Sequence, residues 1–492
     1  MRAATLCALW LTCLCAWSAA RAEPGAWLDA AQRPNAEARD ALSLLAEAAS
    51  DGLDPADYRV AAGEGAAFDA ELTRQMLRYL RHLHAGRVDA RALGFRIDAR
   101  GQDIDFAERL AQALRTHRLR ETAADLAPDL PQYRSLRALL ARYRLLAAQL
   151  DNQHDAGLPA GPSVREGDSY AAAAALRRRL RALGDLDDTQ ADEGAPVYDT
   201  ALSEAVTRFQ ARHGLAPDGV LGRATQAALR MPLAARVRQI ELAMERLRWL
   251  PPLTGQRFVA INIPMFRLWA VEPGTPSLSM GVVVGRALRT PTPVLLRQMR
   301  EVVFRPYWNV PRSIVRKELL PAIARDARYL EREAMEIVRG AGDDANAVEP
   351  TPENLALLAD GALRLRQRPG PRNALGRVKF VFPNDDDVYM HDTPATALFE
   401  RTRRDFSHGC VRVQDPAELA HWVLRDAPEA WPRERIDAAM ASSRTERVAL
   451  ARPIPVLLFY VTAVAMPDGT LHFADDIYGH DARLTRALSA PH

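Results

Sequence analysis

Apolar residues recur at helical spacing through the first half of this 492-residue chain, then from about residue 258 give way to short β-rich runs bounded by proline and glycine. No one layer absorbs both periodicities, and a chain of this length exceeds a single compact core, so two to four domains are expected. Leu42, Leu44 and Leu45, then Met76, Leu77, Leu80 and Leu83, then Leu136, Leu139, Leu140, Leu145 and Leu146 place a helical scaffold over residues 23–160. A linker with Gly157, Pro159, Gly161 and Pro162 precedes a small three-helix unit at 165–232, striped by Leu176, Leu180 and Leu183, by Leu202, Val206 and Phe209, and by Thr225, Ala228 and Leu229. The runs at 258–263, 268–271, 280–285, 302–304, 378–382, 388–391 and 456–464 predict a mostly antiparallel, sandwich-like β domain over 250–485. Residues 312–373 interrupt it with helical pattern at 313–338 and 354–365, ending in Arg368-Pro369-Gly370-Pro371, and an insertion of that size is expected to act as a lid. The fold class is therefore multidomain α+β.

Arg2, the apolar run to Trp17 and the small-residue pattern Ala20-Arg21-Ala22 read as a secretory signal over residues 1–22, with an uncleaved anchor as the alternative and the sole expected link to a membrane. The leader carries two of the 65 basic groups and none of the 62 acidic ones, so the remainder is almost neutral and offers no electrostatic case for nucleic acid. Three of the four cysteines, Cys7, Cys13 and Cys15, leave with the leader. Cys410 remains as a lone thiol in a compartment where thiols pair or oxidise, which calls for a chemical reason. His82, His84 and Asp89 lack a second ligand pair at metal spacing and read as polar residues at a helix end.

That reason lies in the segment around the thiol. His391 closes the run Val388-Tyr389-Met390, and fifteen residues separate it from Ser407-His408-Gly409-Cys410-Val411-Arg412-Val413. A thiol needs a base or a positive neighbour to become a thiolate, and a turn at Gly409 can aim successive backbone N–H groups at one oxygen. Cys410 is thus the candidate nucleophile, His391 its base, and Gly409 with His408 the candidate oxyanion loop, His408 being equally suited to touching substrate. Arg412, Tyr389, Trp308 and Ser407 are the expected substrate contacts. A salt bridge for Arg412 and core packing for Trp308 are the bland alternatives.

The His391 to Ser407-His408-Gly409-Cys410 spacing resembles the signature of the L,D-transpeptidases, or YkuD-type domains. Further likenesses to the large Gram-negative members are Ile261-Asn262-Ile263-Pro264, Val284-Gly285-Arg286, Pro306-Tyr307-Trp308-Asn309-Val310-Pro311, Phe382-Pro383-Asn384 and Asp475-Asp476-Ile477-Tyr478. The string from Phe209 to Thr225 resembles the three-helix peptidoglycan-binding module of wall enzymes. Arg305 departs from the pattern, where Asn is expected before Pro306. The resemblance implies a periplasmic enzyme in which Cys410 attacks the third residue of a donor tetrapeptide, D-Ala leaves, and the diaminopimelate amine of a second stem makes a 3–3 cross-link. It implies acylation by carbapenems and no metal or organic cofactor, and leaves room for other wall-synthesis proteins as partners. Water as acceptor (a carboxypeptidase), a lipoprotein amine as acceptor, and a non-catalytic wall-binding protein stay open as alternatives.

Overall fold

The computed structural model describes residues 25–98, 100, 103–150, 158–187, 196–253, 255–326, 328–427 and 429–490; the expected signal segment lies outside them. The described chain falls into two compact units. The first, made from residues up to 49, 53–84 and 101–127, is helical. Helices Ala36–Ala46, Gly65–Ala85, Phe106–Arg115 and Leu119–Leu126 surround a core that includes Trp27, Leu72, Met76, Tyr79 and Leu110. Asn35 and Asp105 cap their helices by accepting backbone N–H bonds. Here His82 Nδ1 meets the Tyr58 hydroxyl at 2.9 Å, and His84 Nδ1 meets the Leu126 carbonyl at 2.9 Å.

The second unit takes residues 50–52, 85–100 and everything from 128 onward. Helix Pro131–Leu150, read in the sequence as part of the scaffold, packs in this unit against helix Leu233–Arg248. The fully buried Arg248 accounts for that: it donates to Glu245 at 2.8 Å and to the Tyr133 hydroxyl at 3.0 Å, and it also reaches the Asp51 carbonyl. A buried guanidinium must be paired in this way. Helices Ala173–Leu183, Thr200–Arg212 and Arg223–Arg230 form the small bundle around Leu176, Leu180, Leu202, Val206, Phe209 and Leu229.

The β region comprises β1 Phe258–Asn262, β2 Arg267–Val271, β3 Leu278–Gly285, β4 Leu295–Phe304, β5 Trp308–Asn309, β6 Met335–Arg339, β7 Asn346–Val348, β8 Arg364–Gln367, β9 Val378–Val381, β10 Met390–His391, β11 Asp405–Ser407, β12 Val411–Val413, β13 Glu446–Phe459, β14 Ala463–Ala465 and β15 Leu471–Phe473. The expected sandwich is instead one nine-stranded sheet, in the order β11-β3-β12-β10-β9-β4-β13-β1-β2, closed on itself by a β2–β3 pairing. It is mixed: β1 runs parallel to β13, β10 to β12 and β11 to β3. Eight residues in β3 give it room to pair with β2 through one half and with β11 through the other.

The insertion also differs from its expected helical character. Beside helices Leu320–Arg325 and Pro352–Asp360 it contributes β6, β7 and β8, which join β5 in a separate four-stranded antiparallel sheet. Ala334 at φ +52° ends the helical stretch, and the β-branched pair in Met335-Glu336-Ile337-Val338 favours a strand there. Val315, Leu330, Ile337, Leu358, Leu363 and Leu365 give the insertion its own core.

Arg305, the residue that departs from the family pattern, sits in the left-handed region at φ +49°, with its N–H bonded to the Arg377 carbonyl at 2.8 Å and its carbonyl accepting from Thr445 at 2.7 Å. Asn tolerates that conformation better than Arg because its short amide can bond locally. Arg305→Asn is therefore expected to raise stability by about 1 kcal/mol, read as a higher midpoint in denaturant, and a lower midpoint would show that the Arg305 side chain outweighs the strain.

Candidate active site

Pairing register fixes which side chains share a face. In the β10–β12 pair Met390 lies beside Val411 and His391 beside Arg412, and the Val411 N–H to Tyr389 carbonyl bond at 3.0 Å extends the ladder toward Tyr389 and Cys410. On the other side of β10, His391 lies beside Lys379 of β9. Because successive side chains alternate, Phe380, Met390, Val411 and Val413 fill the core at 0 % exposure. The opposite face collects Lys379, Tyr389, His391, Cys410 and Arg412. Lys379 Nζ stands 3.7 Å over the Tyr389 ring, and the Tyr389 and His391 rings meet edge to face at 5.7 Å.

The nucleophile loop is held from behind. Ser407 Oγ donates to the Cys410 carbonyl at 2.5 Å and accepts the Gly409 N–H at 3.1 Å. Gly409 takes φ +120°, a conformation open to glycine. Its carbonyl accepts from the buried Thr292 hydroxyl at 2.8 Å, and Thr292 Oγ1 in turn accepts the Gly285 N–H at 2.8 Å. Tyr478 completes the set by donating its hydroxyl to the Gly285 carbonyl at 2.6 Å while accepting the Thr292 N–H at 3.2 Å. A Cβ on Gly285 would collide with the backbone at Thr290, so the close approach that builds this anchor requires glycine.

His391 is buried, and its Nδ1 faces the Asp392 carbonyl at 2.5 Å. That contact makes Nδ1 the protonated nitrogen of a neutral ring and leaves Nε2 as the basic one. Burial, then the Arg412 charge, then Lys379 push the imidazole down to about 3, against the opposing hydrogen bond to Asp392. The Cys410 thiol, 3.8 Å from the Asp387 carbonyl, is pushed up by burial despite the pull of Tyr389, Lys379 and Arg412. At neutral pH the resting pair is therefore thiol and neutral imidazole, with no preformed thiolate.

The other expected site residues are placed unevenly. Arg412 is partly buried with its Nε unpartnered, and Arg286 and Cys410 are its electrostatic neighbours. Trp308 neighbours the Tyr389 phenol and packs against the core of the insertion. His408 Nε2 pairs with Glu318 of the insertion at 2.8 Å. Ser407 and the Gly409 N–H are engaged within the loop itself. Sequence reasoning did not single out Lys379, Thr292 or Glu318; the two threonines of Thr290-Pro291-Thr292 in a β region were the one local hint.

Residues 256–437 match the family described as L,D-transpeptidase catalytic domain, residues 19–140 a scaffold domain, and residues 169–229 a peptidoglycan binding domain. Residues 256–437 are thus similar to L,D-transpeptidase catalytic domains of the YkuD type. The matched range of that L,D-transpeptidase domain stops short of β13, although β13 lies between β4 and β1 in its closed sheet. A Haemophilus influenzae protein, provisionally named an L,D-transpeptidase, is 35% identical over 250 residues, which is 50% of this chain and 49% of that protein. The N-acetylmuramoyl-L-alanine amidase CwlM of Mycobacterium tuberculosis is 38% identical over 76 residues, 14% of this chain and 19% of its own length. The chain thus spans about half or less of the curated relatives it matches. An L,D-transpeptidase crystal structure from Xylanimonas cellulosilytica covers 62% of this chain and 100% of its own at 19% identity, but a TM-score of 0.18 gives the superposition no weight. Among the described residues no helix is long and apolar enough to cross a membrane.

The charge states of Cys410 and His391 are open to titration. Alkylation of Cys410 by iodoacetamide is expected to follow a pH profile whose midpoint lies above the ordinary thiol value of about 8.5. A midpoint near 6 or below would instead reveal a preformed thiolate–imidazolium pair.

Proposed function

We propose that the protein is an exported peptidoglycan L,D-transpeptidase working through a cysteine acyl-enzyme in the periplasm. The observation that carries this reading is the shared sheet face on which Tyr389, His391, Cys410 and Arg412 stand together within the matched domain. A stem-peptide carboxylate paired with Arg412 would offset one of the charges that depress His391, so the base strengthens when substrate arrives. His391 Nε2 then takes the thiol proton as Sγ bonds the carbonyl carbon of the third donor residue. The Cys410 N–H, which has no acceptor among the described residues, is the loop donor left for the oxyanion, since Gly409 bonds Ser407. Collapse of the tetrahedral adduct breaks the C–N bond to D-Ala, whose nitrogen receives the proton from His391. A diaminopimelate amine of a neighbouring stem next attacks the thioester, passes its proton to His391, and leaves a 3–3 cross-link and a restored thiol. The peptidoglycan binding bundle would hold the enzyme on its polymer substrate.

The insertion over residues 312–373 is proposed as the lid, latched to the nucleophile loop by the His408–Glu318 pair. Closure would keep water from the thioester and so favour an amine acceptor.

Cys410→Ala is expected to abolish 3–3 dimers in the muropeptide mass spectrum while the protein stays folded, and the unmutated thiol should gain the mass of a carbapenem. Dimers at the unmutated rate would overturn the reading. For the lid, Glu318→Ala should raise the ratio of hydrolysed tripeptide to dimer with Cys410 acylation retained; an unchanged ratio would remove the latch from the mechanism.

A further inference from the structure

A cavity of about 420 Å³ opens beside the thiol, between the closed sheet and the insertion. Its floor includes Lys379, Tyr389 and Asp387, whose carbonyl faces Cys410 Sγ. Its wall carries Arg312, Arg316 and Arg364, and a second cavity lined by Arg312, Ser313, Arg316 and Lys317 adjoins it. The chain has only two lysines, and both stand here.

Two other insertion arginines are held by carboxylates, Arg332 by Asp326 and Glu333 and Arg366 by Glu336. Among the described residues Arg312, Arg316, Lys317 and Arg364 have no carboxylate within ion-pair distance, and Asp387 is the one acidic residue lining the larger cavity. Arg312 is also built into place. Its Nη2 donates to the Asp360 carbonyl at 2.6 Å, and its guanidinium lies where a Cβ on Gly361 would be, at a residue with φ +78°. The position needs glycine both for its conformation and for this space. A guanidinium fixed by one backbone bond, with its remaining N–H groups uncommitted, suits a planar carboxylate. Leu358, Leu363 and Leu365 line the same cavity, so the ligand should carry apolar as well as charged surface, and the volume suits a short peptide.

We propose that this cleft is a carboxylate-reading subsite that selects stem peptides with free carboxyl groups over amidated ones. It rests on the transpeptidase reading and deepens it: Arg412 serves one side of the thiol, and the Arg312 cleft receives the acidic side groups of a stem on the other. The chemical class is a short peptide bearing two free carboxylates, and amidation would remove the charge while keeping the shape.

The test uses the full chain with Cys410→Ala, so that nothing turns over, titrated calorimetrically with the tetrapeptide L-Ala-γ-D-Glu-diaminopimelate-D-Ala and with the same peptide amidated at its glutamate and diaminopimelate side carboxyls. The free peptide should bind at least tenfold more tightly, and the Arg312→Gln/Arg364→Gln pair should erase that ratio. Gly361→Ala should reduce it without changing the charge, and Arg312→Lys should retain part of it. Equal affinity for the two peptides in the unmutated cleft overturns the proposal whatever the variants do, as does a ratio that survives the double substitution. Carbapenem acylation of unmutated Cys410 separates the two failures: acylation with no amidation effect rejects this subsite alone, whereas an unmodified thiol rejects the transpeptidase reading beneath it.

Discussion

The parallel pairing of β10 with β12 is the constraint on which the site depends. It puts His391 beside Arg412 and Tyr389 beside Cys410, and strand alternation then sends all four to one face while Met390, Val411 and Val413 enter the core. The chemistry and the packing are therefore two faces of one register. Burial keeps His391 neutral, helped by two cations: Arg412, which this pairing brings beside it, and Lys379, which β9 supplies from the other side of β10.

Around that pairing the molecule uses polar contacts where an apolar core would leave the loop loose. Thr292 and Tyr478 secure Gly285 and the Gly409 carbonyl, and Ser407 closes the loop from inside. Such contacts hold the nucleophile without covering it, so Cys410 remains partly exposed. Rigid support behind an open thiol is what covalent catalysis needs, because orientation must be set before the acyl group arrives.

The nucleophile and base were legible in the sequence because residue type, spacing and a preceding β-rich run all lie within one short segment. Helices Ala36–Ala46, Gly65–Ala85, Pro131–Leu150 and those of the small bundle were legible from leucine periodicity, whereas Phe106–Arg115 and Leu119–Leu126 were not marked out by it. Closure of the sheet was not, since β13 takes its place between β4 and β1 through pairings with strands about 150 to 200 residues away, and nothing local records them. The insertion was misread for a related reason: Met335-Glu336-Ile337-Val338 follows helical turns, and its strand character is decided by partners in β7 and β8. Arg312 could not be assigned because its meaning depends on Gly361, nearly fifty residues later. The left-handed φ at Arg305 shows the reverse case, where an odd residue in a motif marked a real backbone peculiarity.

The base ends β10 and the nucleophile directly precedes its parallel neighbour β12, so the chain between them must leave the end of β10, turn through the short helix Thr396–Glu400 and pair as β11 before β12 begins. Parallel neighbours cannot be joined by a tight turn. The stretch between His391 and Cys410 is thus a return path with a minimum length. Burial of Val411 and Val413 holds the register, because a slip of β12 by one position would turn the thiol toward Phe380 and present Val411 to the substrate. Deletions that shorten the path should accordingly be felt at the thiol, whereas an added residue can be taken up by the loop at 392–404.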